Sequence, residues 1–86
     1  MMTQAASRDE IVAFVSSRIL EHVAGDVVAI DPDTDLVELG VKSIDAVLIS
    51  GDVEDRFGIE VDPVLLFECR TVNRVADSVA ESLARR

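Results

Sequence analysis

The amino-acid sequence predicts an all-α fold, a small four-helix bundle with a long first loop and a short third helix. Apolar residues recur at helical spacing in three segments, capping residues precede helical segments, and no convincing strand is present. A chain of 86 residues is the size of one domain. We expect that domain to span residues 7–86, after a disordered N-terminal lead at residues 1–6.

The first helix is predicted for residues 8–23. Ser7 and Glu10 form a capping-box pattern, in which the glutamate reaches back to the backbone of the serine. Gly25 is the predicted stop. One face carries the apolar residues Ile11, Phe14, Val15, Ile19 and Val23.

A long connection is predicted for residues 25–42. Residues 31–35, Asp-Pro-Asp-Thr-Asp, have the composition of a turn. Leu36 and Leu39 are spaced to tuck inward and pin the loop, and Gly40 can adopt a backbone angle that other residues avoid.

The second helix is predicted for residues 43–56, ending near Gly58, and it has two apolar stripes. One stripe comprises Ala46, Ile49, Val53 and Phe57. The other comprises Ile44, Val47, Leu48 and Gly51, roughly 150–180° away around the helix. Only one stripe can face the core, so the other is a candidate docking surface.

Two further helices complete the prediction. Asp62 is the expected N-cap of a short third helix from Pro63 to Phe67. Thr71 is expected to cap a fourth helix, whose apolar stripe comprises Val72, Val75, Ala76, Val79 and Leu83.

The charge of the chain restricts its partners. The net charge is −9, with 17 acidic against 8 basic residues. Nucleic acid and anionic membranes are disfavoured, because both require a positive surface. No apolar run approaches the roughly 20 residues of a membrane span. A single cysteine, Cys69, excludes an intramolecular disulfide, which fits a reducing cytoplasm. We expect a cytoplasmic protein, and we also expect a monomer.

No catalytic or metal-binding residue is predicted. His22 is the only histidine and is interpreted as a satisfied or solvated helix residue. One cysteine and one histidine do not suit a zinc site, and Cys69 is expected to pack. The aspartates at 31, 33 and 35 resemble a calcium loop, but Leu36 and Lys42 stand where such a loop needs Gly and Glu.

Ser43 lies where an acidic loop meets an amphipathic helix. The first backbone N–H groups of a helix have no partner within it, which suits a phosphate. The spacing alone leaves two interpretations open, a serine that carries a group and a plain N-cap serine.

The segment Asp35–Asp45 resembles the attachment motif of acyl and peptidyl carrier proteins. In that family a serine after Leu-Gly-x-x receives 4′-phosphopantetheine from coenzyme A. Residues 53–61 resemble the end of the family's second helix, residues 63–68 its third, and Thr71-Val72 the start of its fourth. The resemblance covers about residues 8–84 and implies an acyl-carrier-protein-like fold with Ser43 as the attachment site.

The resemblance also implies the function. The chain would hold acyl or aminoacyl intermediates as thioesters on the arm and would not itself be an enzyme. A phosphopantetheinyl transferase would attach the arm, and loading enzymes, acyltransferases or synthases would use it. Residues 58–61 and 65–68 resemble carriers of polyketide or nonribosomal peptide assembly. The short chain suggests a discrete carrier, although an excised domain would have the same sequence.

Partner recognition is expected on the second helix. Ile44 and Leu48 would make apolar contacts, and the acidic residues Asp45, Glu54 and Asp55 would face basic partner residues. Lys42 stands where the family often has Asp, which leaves open the transferase and partners that accept this chain. Gly51 stands where larger residues are common and would leave a shallow spot on the docking face, so both are included among the expected partner-binding residues. The rival hypothesis is a helical interaction module that binds partners non-covalently, with Ser43 only as a helix cap.

Overall fold

The computed structural model describes residues 7–23 and 29–85. These residues form four α-helices, α1 (Arg8–His22), α2 (Ser43–Phe57), α3 (Pro63–Cys69) and α4 (Val72–Ala84), and no strand. The predicted fold class is therefore confirmed. The lead at residues 1–6 and the predicted stop at Gly25 lie outside the described residues.

Helix starts follow the predicted caps. The hydroxyl of Ser7 accepts from the Glu10 N–H at 3.1 Å, and the Glu10 carboxylate accepts from the Ser7 N–H at 3.3 Å. The Asp62 carboxylate accepts from the N–H of Val64, and the Thr71 hydroxyl accepts from the N–H of Arg74. Helix ends differ slightly from prediction: α1 ends at His22, and α3 continues past Phe67 to Cys69.

One hydrophobic core joins the helices. α1 packs against α2 and α4, and α3 packs against the same two helices. The predicted inner stripe of α2 is buried, with Ala46, Ile49 and Val53 fully inaccessible. The rings of Phe14 and Phe57 meet edge to face with centroids 5.5 Å apart, a preferred aromatic geometry. The core therefore holds α2 along its whole length.

The loop before α2 is pinned at several points. Leu36 is buried, and its N–H donates to the Arg70 carbonyl at 2.7 Å. Val41 is also buried and donates to the Leu36 carbonyl at 3.0 Å. The Asn73 side chain donates to Asp33 at 2.6 Å. Residues 31–41 therefore deliver the chain to the start of α2 along a fixed course.

Candidate functional site

Ser43 is the first residue of α2, and its side chain is exposed. Gly40 has a φ of +93°, and Val41 then anchors the chain in the core. Lys42, Ser43 and Ile44 follow on the surface. Within the described part of the chain, Ser43 Oγ has no hydrogen-bond partner, so its oxygen is open to chemistry from outside.

The N-cap of α2 is Lys42, not Ser43. The Asp45 carboxylate accepts from the Lys42 N–H at 3.0 Å, which is the returning half of a capping box. An ammonium has only donors, so the Lys42 side chain cannot supply the other half. The part of the rival hypothesis that makes Ser43 the helix cap is therefore wrong, because Lys42 is the N-cap and the Ser43 hydroxyl forms no hydrogen bond with the described residues.

The start of α2 suits a negatively charged substituent. The first hydrogen bond within the helix runs from the Ala46 N–H to the Lys42 carbonyl at 2.9 Å. The N–H groups of Ser43 to Asp45 precede it and lie at the positive end of the helix dipole. A phosphodiester on Ser43 would be stabilised there by about 0.3–1 kcal/mol. An exposed hydroxyl beside these donors fits a 4′-phosphopantetheine arm.

The outer stripe of α2 is exposed and apolar. The accessible fractions of Ile44, Val47 and Leu48 are 64 %, 51 % and 44 %. Gly51 continues the stripe as a gap, because a Cβ added there would meet no atom within 4 Å. Leu48, Gly51 and Asp55 follow Ile44 by four, seven and eleven residues, which places all four on one face.

The three predicted acidic contacts differ in their surroundings. Asp55 is exposed and forms no ion pair with any residue described. Asp45 caps α2, and Glu54 is half-buried with one oxygen accepting from the Val61 N–H at 2.7 Å. Asp55 is therefore free to meet a partner, whereas the other two already hold local structure.

Two exposed apolar residues outside α1 and α2 were not predicted from the sequence. Val37 in the loop and Val64 in α3 are 65 % and 56 % exposed. A helix of seven residues is too short to separate an inner from an outer stripe, and a loop has no periodicity. The sequence therefore contained no pattern that could have found them.

The other candidate chemical groups have structural roles. His22 Nε2 lies 2.7 Å from the Asp52 carboxylate, as expected for a satisfied helix residue. Asp52 is nine residues along α2 from Ser43, or roughly 14 Å by the helical rise. Cys69 packs against the core, and burial raises the pKa of its thiol.

The aspartates of the loop are engaged in its own structure. Asp31 accepts from the N–H of Asp33, and Asp35 accepts from the N–H of Val37, both at 2.9 Å. Asp35 also lies 3.3 Å from the Arg70 guanidinium. Among the described residues, no group of three or more potential ligands could hold a metal ion.

Comparison with known proteins identifies the family. Residues 17–79 match the family model described as "Phosphopantetheine attachment site". The chain belongs to this carrier-protein family. It is a carrier protein of the acyl and peptidyl type, whose prosthetic group is covalently attached 4′-phosphopantetheine, and members of the family are generally not catalysts.

The carrier is similar to proteins of three kinds. It is 33 % identical over 79 residues to an acyl carrier protein of Thermotoga maritima, covering 91 % of this chain and 98 % of that protein. A free-standing peptidyl carrier protein from an Acinetobacter baumannii secondary metabolic pathway superposes with a TM-score of 0.82 and 28 % identity, covering 90 % and 96 % of the two chains.

The third similarity is to part of a much larger protein. A component of the phenolphthiocerol/phthiocerol polyketide synthase of Mycobacterium tuberculosis is 41 % identical over 51 residues, or 59 % of this chain. The carrier matches only 3 % of the length of that component.

No helix among the residues described is long and apolar enough to cross a bilayer.

Proposed function

We propose that Ser43 carries the 4′-phosphopantetheine arm, and that this carrier holds acyl or aminoacyl intermediates in polyketide or nonribosomal peptide biosynthesis. One observation carries the assignment of the residue. Ser43 Oγ is exposed at the first turn of α2, without a hydrogen-bond partner in the described chain, and it lies inside the matched segment. Ser50, the other serine of α2, is buried and donates to the Ala46 carbonyl at 2.7 Å, so it is unsuited to the role.

The attachment chemistry requires only a free hydroxyl from this chain. Ser43 Oγ attacks the phosphorus of coenzyme A that bears the pantetheine and forms a new P–O bond. The P–O bond to adenosine 3′,5′-bisphosphate breaks, and that group leaves. The Ser43 proton passes to a base on the transferase. The attached arm ends in a thiol, which supplies the thioester chemistry.

The carrier itself is proposed not to be an enzyme. Nucleophilic catalysis needs a base within hydrogen-bond reach of the nucleophile. The only histidine is paired with Asp52, roughly 14 Å along α2 from Ser43. A separate phosphopantetheinyl transferase would therefore supply the base, the metal ion and the coenzyme A site.

The proposed pathway rests on the relatives. One similar protein is part of a polyketide synthase, and one similar structure is a peptidyl carrier protein of secondary metabolism. The proposed partners are therefore loading enzymes, acyltransferases or synthases of such a pathway, together with the transferase. We also propose a monomer in the cytoplasm with one carrier domain at residues 7–86. A net charge of −9 argues against nucleic acid as a partner.

The proposed docking surface is the outer side of α2. It comprises Lys42, Ile44, Asp45, Leu48, Gly51, Glu54 and Asp55. Ile44 and Leu48 offer exposed apolar area. Asp55 offers an exposed carboxylate, without an ion pair among the described residues, to a basic partner residue. Exposed charges of this kind mainly set association rate and partner choice, and salt weakens them.

The attachment site is tested by intact-mass measurement. The chain is incubated with coenzyme A, Mg²⁺ and a broad-specificity phosphopantetheinyl transferase. The wild type should gain the mass of one phosphopantetheinyl group, and Ser43→Ala should gain none. Ser17→Ala is the matched control, because Ser17 is also an exposed helix serine and should leave the gain intact.

Two results would count against the assignment. A mass gain in Ser43→Ala would show that the arm is attached to another residue. A wild-type chain that folds and yet resists several transferases would favour the non-covalent interaction module. Mass spectrometry of the carrier isolated from its native cells would identify the cargo and test the proposed pathway.

A further inference from the structure

Lys42 is the only lysine among the 86 residues, and it directly precedes Ser43. Its side chain is exposed, and no carboxylate lies within 4.0 Å of its ammonium in the described part of the chain. Many of the other cations are already engaged. Ion pairs with carboxylates are formed by Arg8, Arg18, Arg56, Arg70 and Arg85. The charge of Lys42 thus has no partner within the described fold.

An enzyme that reaches Ser43 cannot avoid Lys42. Consecutive Cα atoms are about 3.8 Å apart, so an active site that closes over Ser43 Oγ comes within reach of the exposed Lys42 side chain. The Lys42 backbone is held by Asp45, which fixes the root of the side chain. Burying an ammonium without a partner is costly, so the enzyme must offer it an acceptor.

We propose that the transferase that modifies Ser43 presents a carboxylate to Lys42, and that Lys42 thereby selects this transferase. This inference rests on the proposed role of Ser43. A carboxylate matches an ammonium in charge and forms the stronger, charge-assisted hydrogen bonds. A transferase with a basic residue at this place would be rejected by like-charge repulsion.

The two ends of the outer face of α2 would also orient the enzyme. Lys42 carries a positive charge at the start of α2. The exposed Asp55 carries a negative charge, and the helical rise places it roughly 18 Å along α2 from Ser43. The apolar side chains of Ile44 and Leu48 lie between them. An enzyme with an acidic group at one end and a basic group at the other fits this surface in one direction only.

The test compares transfer rates on charge variants of Lys42. The organism's own phosphopantetheinyl transferase is assayed with coenzyme A on the wild type, Lys42→Arg, Lys42→Gln and Lys42→Asp. We expect kcat/KM to fall at least about tenfold in Lys42→Gln and further in Lys42→Asp, with most of the rate kept in Lys42→Arg. Added salt should slow the wild type and Lys42→Gln by different factors, because the pair made by Lys42 is absent from the variant while the pair proposed for Asp55 is present in both.

A matched control removes a distant charge. Arg74 in α4 is exposed and has no ion pair among the described residues, so Arg74→Gln should keep the wild-type rate. Urea unfolding of the variants checks that each folds, which is expected because the Lys42 side chain forms no ion pair with the described residues. In Ser43→Ala, acylation of Lys42 by an amine-reactive ester should slow when the transferase is added.

The outcomes separate this inference from the proposed function. Equal kcat/KM for wild type and Lys42→Asp would overturn the selection role, even with Ser43 fully modified. A change confined to the stability of the modified carrier would also overturn it, because Lys42 would then act on the arm's own phosphate. Modification of Ser43→Ala would instead refute the proposed attachment site.

Discussion

The N–H of Leu36 donates a 2.7 Å hydrogen bond to the carbonyl oxygen of Arg70. This bond ties the loop that precedes α2 to the junction between α3 and α4. Arg70 has a φ of +75° and a ψ of −34°, and within the described residues it is the only non-glycine with positive φ. The contact therefore holds a strained residue in place, because such backbone angles cost about 1–3 kcal/mol.

Replacing Arg70 should reveal this strain. Arg70→Ala and Arg70→Gly both remove the 3.3 Å pair with Asp35, but only glycine accepts the backbone angle. We expect Arg70→Gly to be more stable than Arg70→Ala by about 1 kcal/mol, after the extra chain entropy of glycine is subtracted. Urea unfolding of the two variants measures the difference. Equal stabilities would mean that Arg70 stores no strain.

The same substitution at two isoleucines of α2 should separate its inner and outer faces. Ile49 is fully buried, and Ile49→Ala should cost about 2–5 kcal/mol of unfolding free energy. Ile44 is 64 % exposed, and Ile44→Ala should change stability by no more than about 0.5 kcal/mol. Chemical denaturation checks both values. A large loss of unfolding free energy in Ile44→Ala would show that the Ile44 side chain packs in the fold and is not part of the exposed surface.

Gly51 should be replaceable with a gain in stability. It lies inside α2 without a positive φ, and an added Cβ would meet nothing within 4 Å. Gly51→Ala should therefore stabilise the fold by about 1 kcal/mol. Gly40→Ala is the opposing control and should destabilise, because Gly40 has positive φ and its Cβ would lie 3.3 Å from Val23. Thermal unfolding would contradict this interpretation if Gly51→Ala melted lower than the wild type.

The Cys69 thiol should be slow to react. Burial, followed by the nearby Glu68 carboxylate, raises the pKa of this thiol. The folded chain thus binds the thiol proton more tightly than the unfolded chain. The stability that Cys69 contributes is present below the unfolded pKa and is lost as pH rises through the folded pKa.

Alkylation of Cys69 by iodoacetamide over a range of alkaline pH measures this shift. The midpoint of the rate profile should be higher for the folded chain than for the same chain in urea. In the modified carrier, the thiol of the arm should react first, and Cys69 should follow slowly. A folded midpoint at or below that of the unfolded chain would show that burial does not protect the thiol.

The helices could be predicted because their signals are local. Ser7, Asp62 and Thr71 each act within four residues of the helix start that they cap. The contacts that pin the loop could not be predicted in this way. Asp33 meets Asn73 across 40 positions, and Arg8 meets Asp77 across 69, where no periodicity or cap links the partners.

The candidate site was partly predictable for the same reason. The exposure of Ser43 followed from its place at the start of a helix, and the outer stripe followed from the spacing of Ile44 and Leu48. The identity of the cap did not, because the Asp45 carboxylate, rather than the side chain of the N-cap residue itself, holds the first turn. The hydrogen bond from the Val61 N–H to the Glu54 carboxylate could not be predicted either, since Val61 lies in the loop after α2.

The buried inner stripe of α2 has a mechanical consequence. Ala46, Ile49, Val53 and Phe57 are buried over successive turns of α2, beginning about one turn after Ser43. An arm attached to Ser43 would therefore have its attachment point held in a fixed position relative to the rest of the fold. Delivery of cargo would then depend on the motion of the flexible arm and on the rotation of the whole molecule, because α2 itself stays fixed in the fold.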